Sequence, residues 1–238
     1  MYWVIFIHGG AWRDPDPTAT NFAAKAVVEL FNSGVAEVIE GPLGDERQAI
    51  HPDHLNDVIS GIQYLQRKFL FGDRYLLSGH SCGATLAYQT LIQQSMDKLE
   101  THVVRQAIVG VAGLYDLPLL RDMDPIPPMC QQLLRAAFGT DETLWRDVSP
   151  ATYSDFETLW PTGKLAVMAY CEDDEDVSLV QLDTMHHALK LWGEKKGRLV
   201  KTINLKGGHD EAWRKGSGLA SAVEKSINYT QELSSIGT

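Results

Sequence analysis

The chain is short of cysteine and of cationic residues and has no long apolar run, and each shortage closes off a class of protein. Three cysteines, Cys82, Cys130 and Cys171, lie far apart in 238 residues. They make neither a disulfide framework nor a set with metal-ligand spacing, so a reducing compartment, the cytosol, is the expectation. Lys and Arg number 21 against 31 Asp and Glu, a formal net charge of −10. An acidic surface repels phosphate backbones, and nucleic acid is not an expected partner. The apolar run near the start, Tyr2 to Ile7, is far below the ~20 residues that span a bilayer, and it lacks the flanks of a signal peptide. No membrane association is therefore expected. Internal repeats, low-complexity tracts and linkers are absent as well.

What is present is the composition of an ordinary soluble enzyme, 44% apolar and 22% charged, long enough to bury a core in one α/β domain over 1–238. Strand and helix patterns alternate. Trp3 to Ile7 reads as a strand ending at His8-Gly9-Gly10. Phe22, Val27, Leu30 and Phe31 then share a helix face, with Gly34 as the stop. Val35 to Ile39 reads as a short strand. Leu55, Val58, Ile59, Ile62 and Leu65 recur at helical spacing. Arg74 to Ser78 is a buried strand followed by a helix from Cys82 to Gln94. Val103 to Val111, Lys164 to Tyr170 and Arg198 to Leu205 read as strands, and Leu179 to Trp192 and Leu219 to Leu233 as helices. This rhythm predicts a mostly parallel sheet with helices on both faces. Residues 114–163 break it. They are rich in Pro, Asp and Arg, with one helix expected near Cys130 to Phe138, and they read as a lid-like excursion. The first strand starts almost at Met1, so strands expected ahead of it in such a domain are missing or reduced.

"SGHSCGAT" places Ser81 between Gly79 and Gly83, after a strand and before a helix. Gly-x-Ser-x-Gly in that setting is a nucleophile elbow: a strained turn that projects the serine hydroxyl above the sheet. The glycines are needed where a Cβ would strike the packed strand and helix. A serine hydroxyl needs a base at neutral pH. Of eight histidines, His80 lies in the elbow facing the wrong way. His8 reads as structural, His51 and His54 open a helix, and His186 and His187 sit within one. His209, in "LKGGHDEAW", is on a glycine-rich loop after a strand, where a base can reach over the sheet. The acid comes from "AYCEDDEDVSL". Spacing from Cys171 to Val177 selects Asp174, with Asp173 second among Glu172, Asp173, Asp174, Glu175 and Asp176. The order Ser81, Asp174, His209 is that of α/β-hydrolases.

"FIHGGAW" offers backbone N–H groups for an oxyanion: those of Gly10 and Ala11, or of Gly9 and Gly10, together with that of Cys82. Trp12, beside that turn, and Trp213, after His209, are candidates to contact a bound substrate, with packing of the protein itself as the alternative for both.

Taken in order, "HGGAWRDP", "GHSCGAT", "AGLYDL", "EDDEDV" and "GGHDEAW" resemble the fungal kynurenine formamidases, α/β-hydrolases related to the hormone-sensitive-lipase-like esterases. The resemblance covers nearly the whole chain. It implies hydrolysis of N-formyl-L-kynurenine to L-kynurenine and formate, in tryptophan breakdown toward NAD, with no metal or organic cofactor. By the motifs, Ser81 is implied as nucleophile, Asp174 as acid and His209 as base. The partner implied is a small molecule, an aryl formamide or ester; a homodimer is the assembly to consider. Two departures stand out. Strands usual before the HGG turn are nearly absent, and "EGPLGDER" occupies the place of a Tyr-Arg-Leu segment. A carboxylesterase of small aryl or short-acyl esters would use the same machinery, and a non-catalytic hydrolase-fold binding protein is the remaining alternative.

Overall fold

Apolar residues run unbroken along the first strand but sort by parity: Val4 and Phe6 point to one core and Ile5 and Ile7 to another. A strand apolar on both faces belongs inside a sheet covered on both sides. The computed structural model describes residues 2–12, 21–32, 36–40, 49–97, 106–122 and 128–236. Its strands are β1 (Tyr2–Ile7), β2 (Ala36–Glu40), β3 (Tyr75–His80), β4 (Ala107–Val111), β5 (Leu165–Cys171) and β6 (Leu199–Leu205). They form one sheet in the order β2-β1-β3-β4-β5-β6, every described pairing parallel. The helices are α1 (Ala24–Asn32), α2 (Asp53–Phe69), α3 (Cys82–Asp97), α4 (Leu117–Asp122), α5 (Pro128–Phe138), α6 (Glu142–Asp147), α7 (Phe156–Leu159), α8 (Leu179–Gly193), α9 (Glu211–Arg214) and α10 (Ser217–Ile236).

The helical spacing of Leu55, Val58, Ile59, Ile62 and Leu65 puts one stripe of α2 into the first core, beside Leu182, Met185 and Leu189 of α8. Each such side chain, fully buried, contributes roughly 1.5–3 kcal/mol relative to exposure. On the other face Ala26 and Leu30 of α1 meet Leu219, Val223 and Ile227 of α10. Of the strand expected from Val103, the described part is Ala107–Val111; Val103 and the expected stop Gly34 lie outside the described residues, as does most of "EGPLGDER".

The excursion at 114–163 contains more helix than the sequence suggests: α4, α5, α6, a 3₁₀ turn at Pro150–Thr152, and α7. Leu114, Leu117, Leu120, Leu134, Ala137, Phe138, Trp145 and Val148 make a third core, separate from the two sheet faces, and it packs against Trp12 and Val177. The GLYDL segment is its anchor. The N–H groups of Tyr115 and Asp116 both donate to Gln181 Oε1, at 2.8 Å each, and Gln181 Nε2 donates back to the Asp116 carbonyl at 2.9 Å. Thr85 Oγ1 donates to the Leu114 carbonyl at 2.6 Å. Both side chains are buried, so these bonds fix the start of the excursion to α3 and α8.

Because the strands are parallel, the carboxyl ends of β1, β3, β5 and β6 reach the same edge of the sheet. The HGG turn, the serine, the acidic loop and the His209 loop follow those four ends, at the edge where α/β sites gather.

Candidate active site

Ser81 sits directly after β3 with φ of 53°, a left-handed conformation that costs a non-glycine residue energy and needs support from its surroundings. The support is visible. Its N–H donates to the Val111 carbonyl at 2.8 Å, and its carbonyl accepts from Ala84 N–H at 3.0 Å. The two framing glycines have one physical cause. A Cβ on Gly79 would overlap the backbone of Gly83, and a Cβ on Gly83 would overlap the carbonyls of Ile7 and His8. Strand, elbow and helix therefore close to backbone contact only with glycine at both positions.

Asp174 and His209 are brought together across 35 residues. The His209 Nδ1–H lies 3.0 Å from Asp174 Oδ1 and 3.1 Å from Oδ2. Asp174 Oδ1 also accepts from the N–H groups of Asp176, at 3.0 Å, and Val177, at 2.8 Å. The spacing to Val177 thus has a structural reason: its amide helps to hold the carboxylate. Asp173, the second choice in sequence, is exposed. Ser81 is 6% and His209 5% exposed. Burial pushes the His209 imidazole down, but the hydrogen bond and charge of Asp174, with Asp176 and Asp210 beyond, lift it above the ordinary 6.5. His186 and His187 are exposed on α8.

Sequence reasoning missed two holds on His209. Glu175 Oε2 accepts from the His209 backbone N–H at 3.0 Å. His80 Nε2 donates to the His209 carbonyl at 3.0 Å, with the rings 4.6 Å apart. Nothing in the sequence marks a contact between positions 129 residues apart. Glu175 was among the competing acids, yet its partner is a backbone amide rather than the imidazole.

The HGG turn carries three successive left-handed residues: Gly10 (φ 99°), Ala11 (46°) and Trp12 (63°). That run turns successive amides toward the start of α3. The Trp12 N–H donates to Cys82 Sγ at 3.3 Å. Burial pushes the Cys82 thiol up to about 12, against the pull of the surrounding Trp12, Ala11, Cys82 and Gly83 amides. His8 turns back on the turn itself, its Nδ1–H donating to the Gly9 carbonyl at 2.8 Å, which agrees with a structural part.

Trp12 packs edge-on against Phe138, with centroids 4.9 Å apart, and its indole N–H is buried without a hydrogen-bond partner. Trp213 needs a correction. It is 4% exposed, belongs to the core shared by α1 and α10, and its indole N–H donates to Asp210 Oδ1 at 2.9 Å. Its surroundings are Phe22 and Arg214, so it packs the scaffold and does not line a substrate space. Among the described residues, His80, His209 and Asp210 have ligand-type atoms close enough to share a metal ion. Each of the three residues also makes hydrogen bonds within the protein: His209 Nδ1 with Asp174, His80 Nε2 with the His209 carbonyl, and Asp210 with Trp213 and Arg214.

The BD-FAE domain family matches residues 1–189. A kynurenine formamidase-like hydrolase of Fusarium equiseti is 70% identical over 98% of this chain and 85% of its own length. The chain belongs to the kynurenine formamidase-like hydrolases. A kynurenine formamidase of Aspergillus versicolor is 32% identical over 92% of this chain and 86% of its own length. Among solved structures, esterase B of Lactobacillus rhamnosus aligns with all of this chain and 77% of its own, with a TM-score of 0.74 at 16% identity. Carboxyl esterase 2 of Tuber melanosporum covers 97% and 78%, with a TM-score of 0.69 at 17% identity. At that identity the likeness concerns the fold alone, which is that of the α/β-hydrolases. This formamidase-like hydrolase has, among its described residues, no helix long and apolar enough to cross a membrane.

Proposed function

We propose that this hydrolase cleaves the formamide of N-formyl-L-kynurenine through Ser81, His209 and Asp174, releasing L-kynurenine and formate. The observation that carries the reading is the pairing of His209 with Asp174 at the same sheet edge as the strained Ser81, in a chain 70% identical to a kynurenine formamidase-like hydrolase. Asp174 fixes the tautomer of His209, leaving Nε2 to take a proton. Ser81 Oγ attacks the formyl carbon as His209 accepts the hydroxyl proton. The carbonyl oxygen becomes an oxyanion held by the N–H groups of Cys82, at the start of α3, and of the Gly9–Ala11 turn. Collapse breaks the C–N bond, and His209 returns its proton to the departing aromatic amine. Water, deprotonated by His209, then hydrolyses the formyl-serine to formate. An aryl amine is a better leaving group than an alkyl amine because its lone pair is shared with the ring.

Formyl is the smallest acyl group, so selectivity must fall on the aromatic side. Trp12, half-buried beside the turn, is the residue assigned to that side in this reading. The third core, through Phe138, backs Trp12 and gives the excursion the part of a cap. Formate release from N-formylkynurenine, set beside p-nitrophenyl acetate hydrolysis, tests the reading. A kcat/KM that favours the ester overwhelmingly would replace it with the carboxylesterase.

The cap makes its own prediction. Leu134 is buried in the third core, so Leu134→Ala loses ~2–5 kcal/mol of packing, and the support of Trp12 loosens with it. The expected result is a lower Tm together with a changed formamide-to-ester ratio of kcat/KM. A lower Tm with the ratio intact would reduce the excursion to packing.

The pH profile follows from His209. The base must be neutral, and its pKa is raised above 6.5. Log kcat/KM therefore climbs with unit slope at acid pH and levels off once pH passes a midpoint above 6.5. Steady-state kinetics from about pH 5 to about pH 9 check this; a profile flat through neutrality would remove His209 as the base.

A further inference from the structure

His80 is a buried titratable group beside the nucleophile that the reaction does not use. It ends β3, next to Ser81, and is 1% exposed. Its Nε2 faces the His209 carbonyl at 3.0 Å. A carbonyl only accepts, so Nε2 carries the proton and Nδ1 is left with a lone pair. That Nδ1 is buried with no partner. It faces the HGG turn, where a Cβ on Gly9 would come within 2.7 Å of it. A buried acceptor without a donor is costly, and an apolar side chain of the same bulk would avoid the cost. The compensating feature is the single bond that Nε2 makes, and it falls on the residue that carries the base.

We propose that His80 is a positioning residue for His209: its Nε2–H holds the His209 carbonyl while its ring fills the space beneath Gly9, so that one side chain sets the base loop against the HGG turn. His209 is then gripped at three points: its amide by Glu175, its ring by Asp174 and its carbonyl by His80. The grip on the carbonyl stops the loop from rotating away and drawing the imidazole off Asp174. Burial, with the neighbouring His209, pushes His80 down to about 3, so it stays neutral and keeps one tautomer across the working range. The groups facing His209 are Asp174, Asp176, Asp210, the Glu175 carboxylate on its amide, and this neutral ring. The first three raise the His209 pKa, and looser pairing with Asp174 lets burial lower it.

The proposal rests on His209 as the base, so its test includes a readout that needs no substrate. In the full chain, His80→Gln retains an amide N–H near the reach of Nε2, whereas His80→Asn stops near Nδ1 and His80→Leu has no donor. Proton NMR follows the downfield Nδ1–H of His209 and its titration midpoint, beside kcat, KM and Tm. The Asn and Leu variants should lose the downfield signal, and the His209 midpoint should move down toward 6.5. Their kcat should fall on the order of 10²-fold, the scale of a small misplacement of a reacting group, with KM little changed. The Gln variant should recover most of both. If Leu does not fold, the contrast of Gln with Asn decides. A wild-type His209 signal and midpoint in the Asn variant overturns the proposal, as does equal damage in Gln and Asn. Failure of the wild type to release formate would sink the proposed reaction and leave the NMR arm intact.

Discussion

Ser81→Ala is expected to lower kcat by about 10⁴–10⁶, roughly 5–8 kcal/mol of lost transition-state stabilisation, and to leave Tm close to wild type. The two halves of this result have separate causes. The loss follows from removing the only atom proposed to attack the formyl carbon; what remains is catalysis by the backbone donors around it. The intact fold follows from the backbone. Ser81 holds φ at 53°, and alanine already occupies the same region at Ala11 and Ala112, with φ of 46° and 49°. The N–H bond to Val111 and the carbonyl bond from Ala84 belong to the backbone and survive the substitution. Turnover of N-formylkynurenine beside a thermal melt checks both. A variant retaining a tenth of wild-type kcat would take the nucleophile away from Ser81.

Asp174→Asn should cost on the order of 10⁴ in kcat, the scale seen when the acid of such a set becomes an amide and the imidazole is held in the wrong tautomer. The substitution is nearly isosteric. Its Oδ1 can still accept from the amides of Asp176 and Val177, so the loop is expected to keep its shape. What changes is the charge beside His209. Without it, burial weighs more heavily against the remaining Asp176 and Asp210, and the His209 pKa falls. The acid limb of the pH profile should move down as kcat collapses. Asp173→Asn, at an exposed position, should remain near wild type. Measuring both variants over the same pH range separates the positions; a larger loss at Asp173 would move the acid by one residue.

The formamide reading and the esterase reading share every atom of this machinery. In the proposed reading they divide at Trp12 and the third core, where the excursion packs on Trp12. That is also where the sequence was hardest to read. Residues 114–163 show no sheet rhythm; α4, α5 and α6 bury apolar residues against one another, while Phe156 of α7 joins the first core. Local patterning indicates that such residues exist but does not say what covers them.

The strand-helix alternation, the elbow at Ser81 and the loop placement of His209 were legible because each depends on short-range chemistry: parity along a strand, glycine where backbones touch, a turn after a strand. Asp174 could be singled out by its distance from Cys171 and Val177 for the same reason, since it is held by amides two and three residues away. The sequence alone also determined the order of these parts and the family they resemble. The tertiary structure decided what depends on long-range contact. Parallel pairing carried four strand ends to one edge. Trp213 was drawn into the core by Phe22 and Asp210. GLYDL became an anchor through Gln181. His80 came to lie under His209 across 129 residues. A side chain's partner across a parallel sheet is set by register and crossover, and neither leaves a local mark on the residues that meet.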